Sequence, residues 1–141
     1  PNAGGGCLLT DPAFSLRAKD LFGHIHTPTI NDIDLLKIGR HFRLDKNTKL
    51  VVGRNKDENE MLEGLALPND TLLEAKEYVG PIALIRGDSA EKHVEFASAI
   101  TLRYSDAPKG QTDVVTVQKE NTLTEISVSK AEETSYRKFR V

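Results

Sequence analysis

Short apolar runs dominate the sequence from Arg40 onwards, and they come in pairs separated by segments with helical periodicity. The first pair spans residues 42–44 and 50–52, and the second spans residues 72–75 and 82–85, each with a turn between its two runs. Paired strands that alternate with helices favour an α+β layer with a largely antiparallel sheet over a parallel α/β fold. We therefore expect an α+β domain in the order ββαββαββ, with two helices packed on the sheet.

Sequence signals mark the beginning of both helices in the expected ββαββαββ order. Asn55 and Glu58 have the spacing of a capping box in front of an apolar stripe. Asp88 and Glu91 precede a longer stripe, in which apolar positions recur with the helical period as far as Tyr104. The tail is expected to form further strands at residues 114–117, 126–128 and 136–141.

Residues 1–39 lack the paired-strand pattern and carry two helix signals instead. Asp11 followed by a proline predicts a helix start, because Asp accepts a hydrogen bond from a free amide and Pro lacks only a donor that the first turn does not use. Gly23 is expected to end this helix, and Asn31 to cap a second, shorter one. We interpret residues 1–39 as the remnant of an upstream catalytic domain or an adaptor to it, and residues 40–141 as one domain.

The charge of the chain is small overall but unevenly distributed. A net charge of −2 argues against a protein that coats nucleic acid through charge alone. Residues 37–56, however, hold seven Lys and Arg against one acid, whereas residues 57–107 hold eleven acids and four bases. The first segment would bind a phosphate backbone on an exposed hairpin face that carries Arg40, Arg43 and Lys49. Two solvated faces that attract each other explain the pattern equally well.

Motifs of self-sufficient enzymes are missing from the sequence, which has no P-loop, no GxGxxG, no paired-cysteine metal spacing and no GxSxG elbow. His24, His26 and His41 could be combined with Cys7 into a metal site, but histidines in a linker are usually solvated, so we expect no metal. No apolar run approaches the roughly 20 residues that span a bilayer, and one cysteine forms no internal disulfide. We expect a soluble, cytoplasmic chain that is not catalytic by itself.

Cys7 is the one residue with the setting of a nucleophile. It stands between three glycines and the predicted helix start at Asp11. If the free amides of that helix point at its sulfur, the positive end of the helix favours the thiolate, the form that attacks electrophiles or binds metal. In the alternative interpretation, Leu8 and Leu9 are buried and Cys7 is a small neighbour without a role.

The segment Gly53-Arg54-Asn55-Lys56-Asp57-Glu58-Asn59-Glu60-Met61-Leu62 resembles the signature of the NFACT-R family, in which Gly-Arg/Lys-Asn, a further Asn and a Leu lie on a strand-to-helix turn. Similar segments follow in the same order at residues 69–70, 72–76, 82–86 and 96–105. The resemblance implies an RNA-binding module, which also occurs as an appendage of tRNA thiolation enzymes.

The chain departs from that family at two places. Where the family tends to have a His in the strand and a Pro-Gly-Ser-His turn, this sequence has Glu74-Ala75-Lys76 and Val79-Gly80-Pro81-Ile82. Contacts made by those histidines elsewhere therefore do not transfer to this chain.

The N-terminal segment Gly6-Cys7-Leu8-Leu9-Thr10-Asp11, followed by Phe14 and Arg17, is similar to the end of the catalytic domain in tRNA thiouridylase-type sulfurtransferases. In that family a PP-loop adenylates a uridine with ATP. A cysteine after a glycine carries persulfide sulfur there or, in cluster-dependent members, ligates an iron–sulfur cluster, and Cys7 matches that position. The resemblance implies an upstream PP-loop domain in the parent protein, whereas no cofactor is expected in the present chain.

Our first hypothesis is therefore a tRNA-binding domain of a thiouridylase-like enzyme. The residues expected to bind phosphate are Arg40, Arg43, Lys49, Arg54 and Lys56. Asn55 and Asn59 are expected to fix the turn or to touch RNA, and Arg137, Lys138 and Arg140 form a second candidate patch. Arg54 is the strongest single candidate. The alternative is a protein-interaction or dimerisation module without RNA contact, which predicts an exposed apolar patch of several hundred Å² in place of a basic face.

Overall fold

The structure, a computed structural model, describes residues 11–88 and 90–141. Its strands are β1 (Arg40–Asp45), β2 (Thr48–Val52), β3 (Thr71–Ala75), β4 (Ile82–Gly87), β5 (Thr112–Lys119) and β6 (Thr122–Ser129). Its helices are α1 (Pro12–His24), α2 (Ile30–Leu36), α3 (Lys56–Leu65), α4 (Ala90–Arg103) and α5 (Glu133–Tyr136), followed by a 3-10 turn at Arg137–Phe139. Cys7 lies outside the described residues.

All six strands belong to one sheet in the spatial order β1-β2-β4-β3-β5-β6, and every pair of neighbours is antiparallel. From Arg40 the elements follow each other as two strands, a helix, two strands, a helix and two strands. The expected α+β class is confirmed. The longest described helix has 14 residues, and none of the described helices is both long and apolar enough to cross a membrane.

Helices cover the sheet on both faces, so each strand of the first hairpin is buried on two sides. One face carries Phe42 and Leu50, which pack with Ile100 of α4 in the largest apolar cluster. The other face carries Val51, which packs between Leu35 and Leu62 from α2 and α3. This second layer explains why all five residues of β2 are buried.

The N-terminal helices begin at local caps. Asp11 accepts a hydrogen bond from the amide of Ala13 at 3.0 Å, as predicted. The predicted cap of α2 is wrong: Thr29 is the cap and forms a reciprocal capping box with Asp32. Asn31 instead donates its amide Nδ2 to the carbonyl of Leu65 at 3.0 Å and so ties α2 to the end of α3. The predicted end of α1 is off by one residue, since the helix runs through Gly23 to His24.

The chain end differs from the predicted strand at residues 136–141. Residues 133–139 are helical, and one isolated bridge joins Arg140 to Phe42. Tyr136 is buried with its ring edge-on to Phe42 at 5.7 Å between centroids, and this aromatic contact favours a helical turn over an added strand. As a result, the basic chain end lies beside β1.

Candidate nucleic-acid interface

The basic residues of the first hairpin do not share a surface, so the predicted exposed face of Arg40, Arg43 and Lys49 is wrong. Side chains alternate along a strand, and Arg40 and Arg43 therefore point to opposite faces of the sheet. Arg43 and Lys49 are register partners on the face that the N-terminal helices cover. Arg43 donates Nη2 to Asp20 Oδ2 at 2.7 Å and is 15% exposed, and Lys49 is 4% exposed.

The turn after β2 gathers the other predicted residues around a recess of about 470 Å³. Its lining includes Arg40, Arg54, Asn55, Lys56 and Asn59, which are five of the seven residues expected to bind RNA. The opposite wall is formed by Val79, Gly80, Pro81, Tyr104 and Asp106. This recess is the first half of the candidate interface.

Backbone contacts build the floor of this recess. The amide of Gly53 donates to the carbonyl of Ile82 at 2.9 Å, and the amide of Ile82 donates to Asn59 Oδ1 at 3.0 Å. A Cβ at position 53 would collide with Asn59 Oδ1, so the turn requires glycine. Asn59 thus holds α3 against β4, and its side-chain oxygen is occupied by the protein.

Asn55 and Glu58 hold the first turn of α3, although not as the predicted reciprocal box. Asn55 Oδ1 accepts from the amide of Glu58 at 2.9 Å. The carboxylate of Glu58 instead accepts from Arg54, through the backbone amide at 3.0 Å, Nε at 2.9 Å and Nη2 at 2.7 Å. These bonds with Arg54 lower the pKa of Glu58 to about 2 and raise the pKa of Arg54. Arg54 is 46% exposed on its side chain, but its charge is largely compensated.

Arg40 is held over an aromatic ring at the centre of the site. Its guanidinium carbon lies 4.4 Å from the ring centroid of Tyr104, which is cation–π geometry. Tyr104 follows the end of α4 and is half-buried beside Tyr136, and burial together with the hydroxyl contact to Tyr136 raises the pKa of Tyr104. Tyr104 was not among the predicted site residues, although it ends the apolar stripe of α4 within a segment similar to the family.

A second recess of about 370 Å³ adjoins the first and shares Arg40 and Tyr104 with it. It brings the chain end into the site, because Arg137 and Arg140 line it together with Arg103 from the last turn of α4. The predicted second patch therefore meets the first at Arg40. We call the two recesses together the basic groove. Its charged and aromatic members are Arg40, Phe42, Arg54, Lys56, Arg103, Tyr104, Asp106, Glu133, Tyr136, Arg137 and Arg140.

Most cations of the basic groove have no carboxylate partner. Among residues 11–88 and 90–141, no carboxylate lies within 4 Å of the charged nitrogens of Arg40, Lys56, Arg103 or Arg140. Arg137 pairs with Glu133 at 3.1 Å. The groove is therefore a concentration of uncompensated positive charge.

Lys138, the remaining member of the predicted second patch, lies outside the groove. Its ammonium is 5.3 Å from the ring centroid of the neighbouring Phe139. The structure therefore brings only Arg137 and Arg140 of that patch into the site.

Lys56 adds positive charge to the groove at a position where a cation destabilises the helix. It is the first residue of α3, where the free amides already carry partial positive charge. A cation in that turn costs about 0.3–1 kcal/mol, whereas an anion is attracted by both the amides and the ammonium. Asp57 and Glu58 in the same turn offset part of this positive potential.

Within residues 11–88 and 90–141, the histidines do not come together as metal ligands. His41 is buried and its Nε2 lies 2.9 Å from the carbonyl of Ile38, and burial lowers the pKa of His41 well below its ordinary value. His24 Nδ1 contacts the carbonyl of Asp20 at 2.7 Å. The described part of the chain contains no group of three or more His, Cys, Asp and Glu side chains that could hold a metal ion.

A protein family and a solved structure are similar to this chain. The family described as NFACT protein RNA binding domain matches residues 39–140, and no curated protein matches the sequence. Among solved structures, the C-terminal part of the fibronectin/fibrinogen-binding protein from Streptococcus suis superposes with a TM-score of 0.63 and 15% identity over 88% of this chain, which spans 59% of that structure. This likeness shows the shared fold. Since the family match covers more than half of the sequence, the chain belongs to the NFACT RNA-binding domain family.

Proposed function

We propose that the basic groove binds the backbone of a folded RNA, and that this RNA is tRNA. The observation that carries the proposal is the set of uncompensated cations around Tyr104, on a chain whose net charge is −2. Positive charge that is concentrated where both halves of the groove meet can neutralise successive phosphates, and the acidic remainder of the surface repels them.

Arg40 and Tyr104 supply a further element of recognition. An aromatic ring with a guanidinium over it offers a planar surface for an unstacked base, and RNA is usually read at such single-stranded positions. Arg103, Arg140 and Lys56 then bind phosphates on either side of that base. Asn55 and Asn59 shape the turn and are not assigned an RNA contact.

The choice of tRNA rests on the resemblance of residues 6–11 to the end of a thiouridylase catalytic domain. In this proposal, the chain is the C-terminal part of a cytoplasmic tRNA sulfurtransferase and holds the tRNA for an upstream PP-loop domain. ATP, and in cluster-dependent enzymes an iron–sulfur cluster, supply the chemistry in that parent protein. Cys7 would carry persulfide sulfur or ligate the cluster there.

The groove is tested by measuring tRNA affinity as a function of salt. Log affinity falls linearly with log salt, with a slope of about −0.7 to −0.9 per phosphate contact. Arg40→Gln with Arg140→Gln is expected to weaken binding and to flatten the slope by about 1.5. The matched control is Lys92→Gln with Lys109→Gln, which removes the same charge from exposed positions outside the groove.

The control is expected to keep the wild-type slope, because its lysines contact neither recess. If both double variants lose the same affinity and slope, binding follows net charge and the groove is not the site. If neither changes, the RNA binds elsewhere on the chain. A comparison of tRNA with an unstructured RNA of equal length tests the finer part of the proposal, since equal affinity for both would overturn tRNA as the preferred class.

A further inference from the structure

The covered face of the first hairpin carries a row of three basic side chains. Arg43 on β1 is the register partner of Lys49 on β2, and Lys49 is in turn the register partner of Arg86 on β4. All three side chains therefore lie next to each other on one face of the sheet. Like charges in adjacent register positions repel each other, so each of them needs an anionic partner.

The two arginines of the row have such partners. Arg43 is bound by Asp20 through Nε at 3.1 Å and Nη2 at 2.7 Å. Arg86 donates Nη2 to Asp70 at 2.7 Å and Nη1 to Asp32 at 3.0 Å. The fork of each guanidinium is thus matched by carboxylates from the surrounding helices and loops.

Lys49 has no partner in the described part of the chain. Its Nζ is buried and makes no hydrogen bond, although the residue is only 4% exposed. A buried ammonium that lacks a partner is rare because its desolvation is costly. Burial and the neighbouring Arg43 lower the pKa of Lys49 to about 8, despite the opposing effect of Asp20.

Lys49 lies at a recess of about 350 Å³ that is separate from the basic groove. Arg43 and Arg86 line it as well. The other polar residues of its lining are His24, His26, Lys46, Asn47 and Asp88. The basic groove lies near the other end of the same hairpin, where Arg40 pairs with Val52 and the Arg40 side chain lies on the opposite face of the sheet. The two sites share no lining residue.

We propose that this recess is a second anion site that takes a phosphomonoester group, with Lys49 as its buried donor and Lys46 as its exposed one. Asp20, Asp32 and Asp70 engage Arg43 and Arg86, so Lys49 and Lys46 are the cations of the lining that have no carboxylate partner among the described residues, and Asp88 is the carboxylate that lines the same recess. The volume suits a small ligand, because binding sites for small molecules begin at about 300 Å³. A phosphate provides acceptor oxygens in several directions, which fits donors that come from β1, β2 and the turn between them.

The first test is calorimetric titration of the whole 141-residue chain with inorganic phosphate, against sodium chloride of equal ionic strength. The wild-type chain is expected to give saturable binding that Lys49→Met weakens at least about tenfold, or about 1.4 kcal/mol. Lys46→Gln, an exposed change that leaves the core intact, is expected to weaken it several-fold. The groove variant Arg40→Gln with Arg140→Gln is expected to bind phosphate like the wild type.

Three outcomes would overturn this site. Phosphate heats that do not differ from those of chloride would remove it, and so would wild-type binding by both Lys49→Met and Lys46→Gln. A loss of phosphate binding in the groove variant alone would assign the phosphate to the groove instead. Failure of the RNA proposal leaves these results unaffected, because no RNA is present in the titration.

A proton measurement distinguishes Lys49 from a merely structural residue. A bound dianion favours the charged ammonium, so phosphate binding at pH 9 is expected to take up a proton, seen as a dependence of the heat on the buffer. Lys49→Arg is expected to bind phosphate without this uptake, since Arg is always charged. The wild type and Lys49→Arg share all the other charged or titratable groups that face Lys49 or line the recess: Asp20, His24, His26, Asp32, His41, Arg43, Lys46, Arg86 and Asp88.

Binding of two further ligands distinguishes a free small molecule from the end of an RNA strand as the source of the phosphomonoester. A mononucleotide that competes with inorganic phosphate would identify a free small molecule as the ligand. An RNA oligonucleotide that binds more tightly with a 5′-phosphate than with a 5′-hydroxyl, and loses this difference in Lys49→Met, would identify the end of an RNA strand. If neither competes while inorganic phosphate binds, the ester part of the proposal is wrong.

Discussion

Lys49→Met is expected to make the protein more stable at neutral pH, which is unusual for a change in a buried strand. Methionine keeps most of the unbranched aliphatic stem and removes the ammonium, which has no hydrogen-bond partner among the described residues. The wild-type protein keeps a charge at this position that costs free energy to bury. Lys49→Met does not carry this cost, so its free energy of unfolding is expected to be higher.

The magnitude follows from the two pKa values of Lys49. The unfolded chain holds the proton up to the ordinary pKa of 10.5, whereas the folded protein releases it near 8. Between these two values the unfolded state binds more protons, so the free energy of unfolding rises with pH. The difference corresponds to about 3 kcal/mol at 1.36 kcal/mol per pH unit. Below pH 8 the folded wild-type protein therefore carries the full cost of burying the charged ammonium. Changes in packing around methionine offset part of the benefit, so the free energy of unfolding of Lys49→Met is expected to exceed that of the wild type by about 1–3 kcal/mol.

The assay is urea unfolding followed by far-UV circular dichroism in phosphate-free buffers from pH 7 to pH 10.5. The stability advantage of Lys49→Met is expected to be largest at pH 7 and to shrink steadily above pH 8. Other titrating groups cancel in the difference between the two proteins. Lys46→Met, on the exposed turn of the same hairpin, serves as the control and is expected to show no such trend. Parallel curves for Lys49→Met and the wild type, or a variant that is less stable at every pH, would refute the reasoning.

Two further outcomes are expected. Glu58→Gln should lower the free energy of unfolding by about 1–2 kcal/mol at pH 7, a figure discounted because Arg54 is partly exposed. The pKa of Glu58 in the folded protein is about 2, below its ordinary value of 4.5, so the stabilisation by Glu58 is complete above pH 4.5 and disappears as the pH falls through 2. Urea denaturation of wild type and Glu58→Gln from pH 7 to pH 2 measures this effect. A difference in free energy of unfolding that stays constant over this range would contradict it. Tyr104→Ala should weaken RNA binding by about 1–3 kcal/mol without changing the salt slope, and a flattened slope in filter binding would contradict a stacking role.

Local signals were enough to predict much of this fold. The strand pairs, the cap at Asn55 and the long helix each depend on a few neighbouring residues, and the structure has all of them. The predicted strand at residues 136–141 failed because the burial of Tyr136 against Phe42 is a contact between distant parts of the chain. The cap at Asn31 failed because Thr29 competes for the same helix start and Leu65 engages the Asn31 side chain.

Part of the candidate site was also predictable from local sequence signals. The turn that holds Arg54, Asn55 and Asn59 is a local motif, and its residues line one recess. Tyr104 joins them only through the packing of α4 on the sheet, which no local pattern reports. The compensation of Arg54 by Glu58 was also concealed, since the same spacing predicts a capping box with the backbone of Asn55.

A run of basic residues in a strand predicts charge, but it does not predict on which face of the sheet that charge lies. Arg40 and Arg43 are separated by three positions, so the period of two assigns them to different faces. Both would be exposed only on a hairpin whose two faces are open to solvent. The decisive element is α1, whose Asp20 binds Arg43 and whose last residue, His24, lines the recess over Lys49. The N-terminal helices thus enclose the recess at Lys49, which the hairpin alone would present as an ordinary basic surface.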